Sequence, residues 1–277
     1  MDSLLPVDDI PERRLLEAMR YATVAGGKRI RPFMVMAGAR LFGVAEESAL
    51  RTGAAVEMIH CYSLVHDDLP AMDDDDLRRG QPTCHKKFDE ATAILAGDAL
   101  LTQAFEVLGH PATHSDPLVR ADLVVELAKA AGPQGMVGGQ MMDLLAEKNP
   151  LSLDGITRLQ RMKTGALIAF SCEAGAILGK APPQARQALK AYAHDLGLAF
   201  QIVDDLLDVE GDEKEVGKKV RKDAKAGKAT FVSLLGIERA REQARLLGDQ
   251  AVRHLEIFAE KADPLRGLAE FILKRRS

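Results

Sequence analysis

His60-Cys61-Tyr62-Ser63-Leu64-Val65-His66-Asp67-Asp68-Leu69-Pro70-Ala71-Met72-Asp73-Asp74-Asp75-Asp76-Leu77-Arg78-Arg79-Gly80 is an apolar run that ends in a bank of carboxylates. Its periodicity predicts a helix from about Ala49 to Leu69, stopped by Pro70, which cannot continue it and biases the preceding residue away from helical backbone. On a wheel of about 100° per residue, His60 and Ser63 fall within about 60° of Asp67. An imidazole and a carboxylate thus share one face two turns apart, with Asp68 beside them and Asp73 brought back by the loop. Acids at a helix C-terminus repel one another and face the negative end of the dipole. A hard divalent cation offsets both effects, and Mg²⁺ binds substrate phosphates alongside carboxylates. Asp74, Asp75 and Asp76 read first as a solvated acidic loop.

A second acid cluster lies far downstream, Phe200-Gln201-Ile202-Val203-Asp204-Asp205-Leu206-Leu207-Asp208. With Gln201 at zero on the same wheel, Asp204, Asp205 and Asp208 fall within an arc of about 100°, opposite Tyr192, Leu196, Ala199 and Val203. A solvated face normally interleaves Lys or Arg at four-residue spacing. This stripe has none, which points to a cation-lined cavity.

Outward from these clusters the pattern is helical almost everywhere, with no convincing strand alternation and only 4% aromatic residues. Breakers fall at plausible helix ends, among them Gly26-Gly27, Gly43, Gly109-His-Pro111, Gly132-Pro133, Asn149-Pro150 and Pro182-Pro183. The expected architecture is all-α, a single large helical bundle around a deep central cavity over residues 1–277, with a two-domain split near Asn149-Pro150 as the alternative. A net charge of -4 gives no basic field for nucleic acid. No apolar run approaches the roughly 20 residues of a membrane span, and the start MDSLLPVDDIPERR is no signal peptide, so a cytoplasmic protein is expected. Cys61, Cys84 and Cys172 form no CxxC pair and read as reduced, partly buried thiols.

Basic residues flank the acids. Gly26-Gly27-Lys28-Arg29-Ile30-Arg31-Pro32 enters a helix and suits either an anion or a plain surface patch. Arg78 and Arg79 offer guanidinium forks for phosphate. Lys163, in an apolar run, either snorkels outward or points into a cavity. Lys218 and Lys228 belong to a Gly/Lys-rich segment that serves as a lid or a surface loop. Paired acids, fixed cations and apolar helix faces together describe a diphosphate ester with a hydrophobic remainder.

GGKRIRP, HCYSLVHDDLPAMDDDDLRRGQPTCH, GDALL, GMVGGQMMD, KTGALI, FQIVDDLLD and GDEKEVGKKVRKDAKAGKAT follow one another along nearly the whole chain. In these motifs and their order the chain resembles the trans-isoprenyl diphosphate synthase family, in particular the bacterial farnesyl diphosphate synthases. The resemblance implies an all-helical homodimer that joins isopentenyl diphosphate head to tail with an allylic diphosphate. It makes Asp67, Asp68, Asp73, Asp204, Asp205 and Asp208 holders of about three Mg²⁺ ions, with Mn²⁺ as a substitute. It assigns Lys28, Arg31, His60 and Arg79 to isopentenyl diphosphate. Arg78, Lys163, Lys218 and Lys228 go to the allylic diphosphate, and Thr164 and Gln201 to the developing carbocation.

Similar enzymes place a bulky floor five residues before the first aspartate. That position is Tyr62, with small Ser63 above it. The wheel puts Ser63, Ile59 and Val56 on the Asp67 face and Tyr62 to one side, so Ile59 is the alternative floor. Farnesyl diphosphate is the expected product and geranylgeranyl diphosphate the runner-up. Only about 27 residues precede Lys28, which implies a shortened or absent N-terminal helix. Three other readings compete. An HD-type phosphohydrolase, suggested by His66-Asp67, needs further metal-ligand histidines, and the other histidines show no such pattern. A noncatalytic subunit of a prenyl synthase complex would have lost aspartate motifs that are intact here. A terpene cyclase has no use for the Lys28, Arg31 and Arg79 set.

Overall fold

The computed structural model describes residues 1–275 apart from 8, 25, 147, 148, 150 and 211–229. The chain runs α1 (Arg13–Val24), α2 (Ile30–Leu41), α3 (Glu46–Asp67), β1 (Leu77–Arg78), β2 (Gln81–Pro82), α4 (Cys84–Lys87), α5 (Glu90–Gly109), α6 (Pro117–Ala131) and α7 (Met136–Ala146). It continues through α8 (Leu153–Gln160), a π-helical turn (Arg161–Gly165), α9 (Ala166–Leu178), α10 (Pro183–Glu210), α11 (Phe231–Leu235), α12 (Ile237–His254) and α13 (Asp263–Lys274). The all-α expectation holds, and the breakers fall where helices end: α5 stops at Gly109 and α10 starts at Pro183. Caps fix several starts, with Asp89 accepting from the Thr92 N–H and Ser152 from the Gly155 N–H. α1 stands ahead of Lys28.

Three details differ from the sequence expectation. α3 covers Glu46–Asp67 and ends two residues earlier than predicted. The amide of Asp73 donates to the Asp67 carbonyl at 2.8 Å and that of Asp74 to the Leu69 carbonyl at 3.2 Å, so the acidic loop folds back over the helix end. Second, Leu77–Arg78 and Gln81–Pro82 form a two-residue hairpin across Arg79 and Gly80, both at positive φ. Strands of two residues are too short to show alternation. Third, α5 is long and apolar enough, by length and composition, to cross a membrane, which no stretch was expected to be. Here its inner residues Ala93, Ala96, Leu100 and Ala104 are buried in the core that it shares with α3.

α3 is apolar around most of its circumference, from Ala55 and Met58 to Ile59 and Cys61, and so sits inside the bundle against α2 and α5. α9 is buried at nearly every position and packs between α2 and α10. One apolar cluster joins α3, α5, α6 and α9, a second joins α2, α9, α10 and α13, and a third joins α8, α10, α11 and α12. Helices from both sides of Asn149 line one cavity. The three cysteines are buried and unpaired.

Candidate active site

A cavity of about 1340 Å³ opens between the end of α3, α7, the π-turn and α10. Lys28, Arg31, His60, Tyr62, Ser63, Asp67, Asp73, Arg78, Arg79, Lys163, Thr164, Gln201, Asp204 and Asp205 all line it. Asp68 and Asp208 do not. Asp68 is buried behind Asp67, and Asp208 lines an adjoining cavity that shares Asp205 and Thr230. Lys218 and Lys228 lie outside the described residues.

The α3 wall is held by its own hairpin. Arg78 Nε donates to both carboxylate oxygens of Asp68 at 2.8 Å, and Asp68 is 2% exposed. Burial pushes the Asp68 carboxyl up and the Arg78 guanidinium opposes that rise. Asp67 is pushed up to about 6, chiefly by burial. Lys163 pulls it down, while Asp73 and Asp68 repel its charge and add to the rise.

The α10 wall faces it. Asp205 accepts from Gln201 Nε2 and from the Phe231 N–H, each at 3.0 Å. Asp204 pairs with Arg275 at 2.9 Å, and the Arg275 guanidinium lies 4.0 Å over the Phe200 ring. Thr164 Oγ1 donates to Gln201 Oε1 at 3.4 Å. The two residues expected near a carbocation are therefore joined, and Gln201 is fixed through its amide nitrogen to the acid wall. Lys163 and Thr164 come to the cavity together through the π-helical turn Arg161–Gly165, an irregularity frequent at functional sites. α7 passes very close to this turn at Gly139, where a Cβ would lie 2.2 Å from the Lys163 nitrogen. Lys163 pairs with Asp143 of α7 at 2.7 Å.

The remaining wall is cationic. Arg29, at a left-handed φ of 52°, pairs at 2.6 Å with Glu57, which is 3% exposed. Arg79 donates to the Gly26 carbonyl at 2.9 Å. Arg31 Nε is buried without a hydrogen-bond partner. Burial lowers the His60 imidazole well below its ordinary range, and Arg31, Arg79, Arg78 and Arg29 lower it further. His60 is thus a neutral donor in a positive field, suited to an anion and poor as a base.

Apolar side chains also line the cavity, with Tyr62 and Met136 buried and Ile94, Val137 and Met141 exposed at its edge. Tyr62 lines it, while Ile59 is fully buried and does not. His66 turns toward α5, its Nε2 at 3.1 Å from the Ile94 carbonyl, and gathers no histidine ligands of the HD type among the described residues. Three residues that shape the site have no assigned role in the sequence: Asp143, Arg275 and Glu57. Asp143 leaves a trace, as the last letter of the quoted GMVGGQMMD.

The donor set fits a hard cation. Its donors are carboxylate oxygens, repelling one another and partly buried, and no three His, Cys, Asp or Glu side chains among the described residues form a closed cage. Mg²⁺ uses one or two carboxylates with waters and substrate phosphates, and needs no such cage. Acid walls, cations and apolar side chains together can bind a diphosphate ester and draw charge onto its leaving group.

The profile of the polyprenyl synthetase family matches residues 12–261. Farnesyl diphosphate synthase of Escherichia coli strain K12 is 48% identical over 276 residues, 98% of this chain and 91% of that protein. The crystal structure of an FPP/GFPP synthase from Zymomonas mobilis is 55% identical with a TM-score of 0.91, covering 98% of this chain and 92% of that one. A geranyltransferase from Helicobacter pylori, solved in complex with magnesium and isoprenyl diphosphate, is 34% identical with a TM-score of 0.85, covering 97% and 90%.

Proposed function

The chain belongs to the polyprenyl synthetase family and is a prenyltransferase, and from that premise we propose the reaction it runs and the residues that run it. It condenses isopentenyl diphosphate head to tail with dimethylallyl and then geranyl diphosphate, releasing diphosphate and giving (2E,6E)-farnesyl diphosphate. The observation that carries this reading is the single cavity in which two aspartate walls, a cationic wall and an apolar chamber meet.

The allylic diphosphate lies between the walls, with Arg78 and Lys163 beside it and Lys218 and Lys228 assigned to it from sequence. Asp67, Asp73, Asp204 and Asp205, which face the cavity, with Asp68 and Asp208 assigned beside them from sequence, would hold about three Mg²⁺ ions, or Mn²⁺ in their place, which would neutralise charge on the leaving group. Lys28, Arg31, His60 and Arg79 hold isopentenyl diphosphate, whose double bond attacks the allylic carbon as the diphosphate departs. The Gln201 carbonyl, fixed through Asp205, and the Thr164 hydroxyl present oxygen toward the allylic cation. The departed diphosphate, released beside the new bond, takes the final proton, while His60, lowered by burial and the nearby arginines, stays a neutral donor. Tyr62 closes the chamber below small Ser63.

The whole chain acts as one domain, as a homodimer in the cytoplasm. Purified chain alone with isopentenyl and dimethylallyl diphosphates should give a fifteen-carbon product with Mg²⁺ and none in excess chelator. Inactivity of the chain alone would favour a noncatalytic subunit. A second reading, longer products such as geranylgeranyl diphosphate, is favoured by the small Ser63 and by the double product name of the Zymomonas mobilis relative. Tyr62→Ala should lengthen the product, and an unchanged fifteen-carbon product would remove Tyr62 as the floor.

A further inference from the structure

His66 sits one residue before Asp67 and takes no part in the chemistry derived above, yet its ring lines the cavity. Several contacts fix that ring, among them a longer approach of Nε2 to the Asp98 carboxylate at 4.0 Å. Its Nε2 donates to the Ile94 carbonyl of α5 at 3.1 Å, a geometry that requires the proton on Nε2, since a carbonyl only accepts. The Tyr62 ring meets it edge-on at 5.8 Å between centroids. The same edge of the ring occupies the hollow left by Gly97, where a Cβ would lie 2.0 Å from Nε2 and 2.5 Å from Cδ2. Gly97 is buried in the middle of α5, where glycine weakens a helix relative to alanine. The structure gives one use for the missing side chain, which is to seat the imidazole against α5.

We propose that the His66–Gly97 seat is a specificity-determining element, setting the width of the chamber beneath the first aspartate and so the chain length that fits. The inference rests on the prenyltransferase reading above. With the ring seated, Tyr62, His66 and Ile94 form one side of the chamber. A methyl group at position 97 removes the seat. α5 is a backbone that cannot yield, so the ring swings about its own side-chain torsions, away from α5 and into the space between Tyr62 and Asp67. On the proposed reading, that is the space into which the second and third isoprene units of a growing chain extend.

The test measures products by chromatography with excess isopentenyl diphosphate and Mg²⁺, for wild type, Gly97→Ala, His66→Ala and the double variant. Thermal unfolding is recorded in parallel. Gly97→Ala should accumulate the ten-carbon product and lower the fifteen-to-ten-carbon ratio by about tenfold or more, the discrimination that a methylene-sized change in an apolar pocket gives. His66→Ala should pass products beyond fifteen carbons. The double variant should lose the ten-carbon accumulation, because the evicted ring is no longer there. A folded Gly97→Ala enzyme with the wild-type distribution overturns the proposal, and so does a double variant that still stops at ten carbons. If Gly97→Ala does not fold, His66→Ala decides: an unchanged distribution overturns it, and lengthened products sustain it. An inactive wild type would defeat the prenyltransferase reading itself, whereas an active wild type with unmoved variants defeats this inference alone.

Discussion

Asp68 finds its cation ten residues downstream, at Arg78, whereas Asp204 finds its own 71 residues downstream, at Arg275. The α3 wall is built from one continuous segment. The loop amides of Asp73 and Asp74 close the helix end, and the hairpin returns Arg78 to the acid just passed. The α10 wall is assembled from distant pieces, with Phe231 opening α11 and Arg275 following α13. Local hydrogen bonding shapes the first wall, and the second needs the C-terminal helices docked on α10. The acids of the two walls look alike in sequence, yet one wall depends on its neighbours in the chain and the other on tertiary packing.

The largest expected effect probes whether both walls share the chemistry despite that difference. Asp67→Ala and Asp204→Ala should each lower turnover by about 10²–10³, the usual cost of losing charge stabilisation at a forming anion. Steady-state kinetics would place both near the same low rate. A nearly wild-type Asp204→Ala would take the α10 wall out of the mechanism.

Removing the counterions should separate the walls. Arg78→Ala strands Asp68, whose side chain is 3% exposed, and should cost about 3 kcal/mol of stability. Arg275→Ala leaves Asp204 with a side chain 33% exposed, where water can replace the lost partner, and should cost closer to 1 kcal/mol from that pair. Double-mutant cycles in denaturant with Asp68→Asn and Asp204→Asn isolate each pair, and a larger coupling for Arg275 and Asp204 would reverse the assignment of local and distant support.

A smaller, substrate-resolved effect is expected from the cations. Lys28→Ala or Arg31→Ala should raise the KM for isopentenyl diphosphate by about tenfold, the weight of one charge-assisted contact. Lys163→Ala should act on turnover of the allylic partner. Equal effects of all three variants on both substrates would erase the division between the cationic wall and the acid walls.

The same contrast governs what could be read from sequence. The α3 wall was legible because its parts are consecutive: acids, loop and Arg78-Arg79 stand in one stretch. The stripe on α10 was legible because Asp204, Asp205 and Asp208 share one helix face. Arg275 was not, since nothing near it announces a partner 71 residues away. The π-turn was missed because Arg161–Gly165 differs from α-helix only in hydrogen-bond register, which leaves no mark on apolar periodicity. Glu57 reads as one more polar residue of α3 until its pairing with Arg29 is seen. His66 was read only for the dipeptide it makes with Asp67, and its use depends on the absence of a side chain at Gly97 on another helix.

Seven residues before Asp67, α3 carries His60, while seven residues before Asp204, α10 carries Gly197. That asymmetry gives the smallest of the expected effects, one confined to the α3 side. Burial and the positive charges of Arg31, Arg79, Arg78 and Arg29 lower the folded-state affinity of His60 for a proton well below that of the unfolded chain, near 6.5. Above that value both states hold a neutral imidazole and His60 contributes no pH dependence. As the pH falls below it, the unfolded chain takes up a proton that the folded protein refuses. Stability is therefore lost on acidification, by at most about 1.4 kcal/mol per pH unit from one group. His60→Gln, which cannot protonate, should flatten the fall in Tm between pH 7 and pH 5 by about 2 °C per kcal/mol removed. The comparison is best made without substrate, because a bound diphosphate would neutralise the guanidinium groups that repel the proton. Parallel Tm curves for wild type and His60→Gln would mean that neither burial nor the four arginines lowers the imidazole, and would return it to the ordinary range of an exposed histidine.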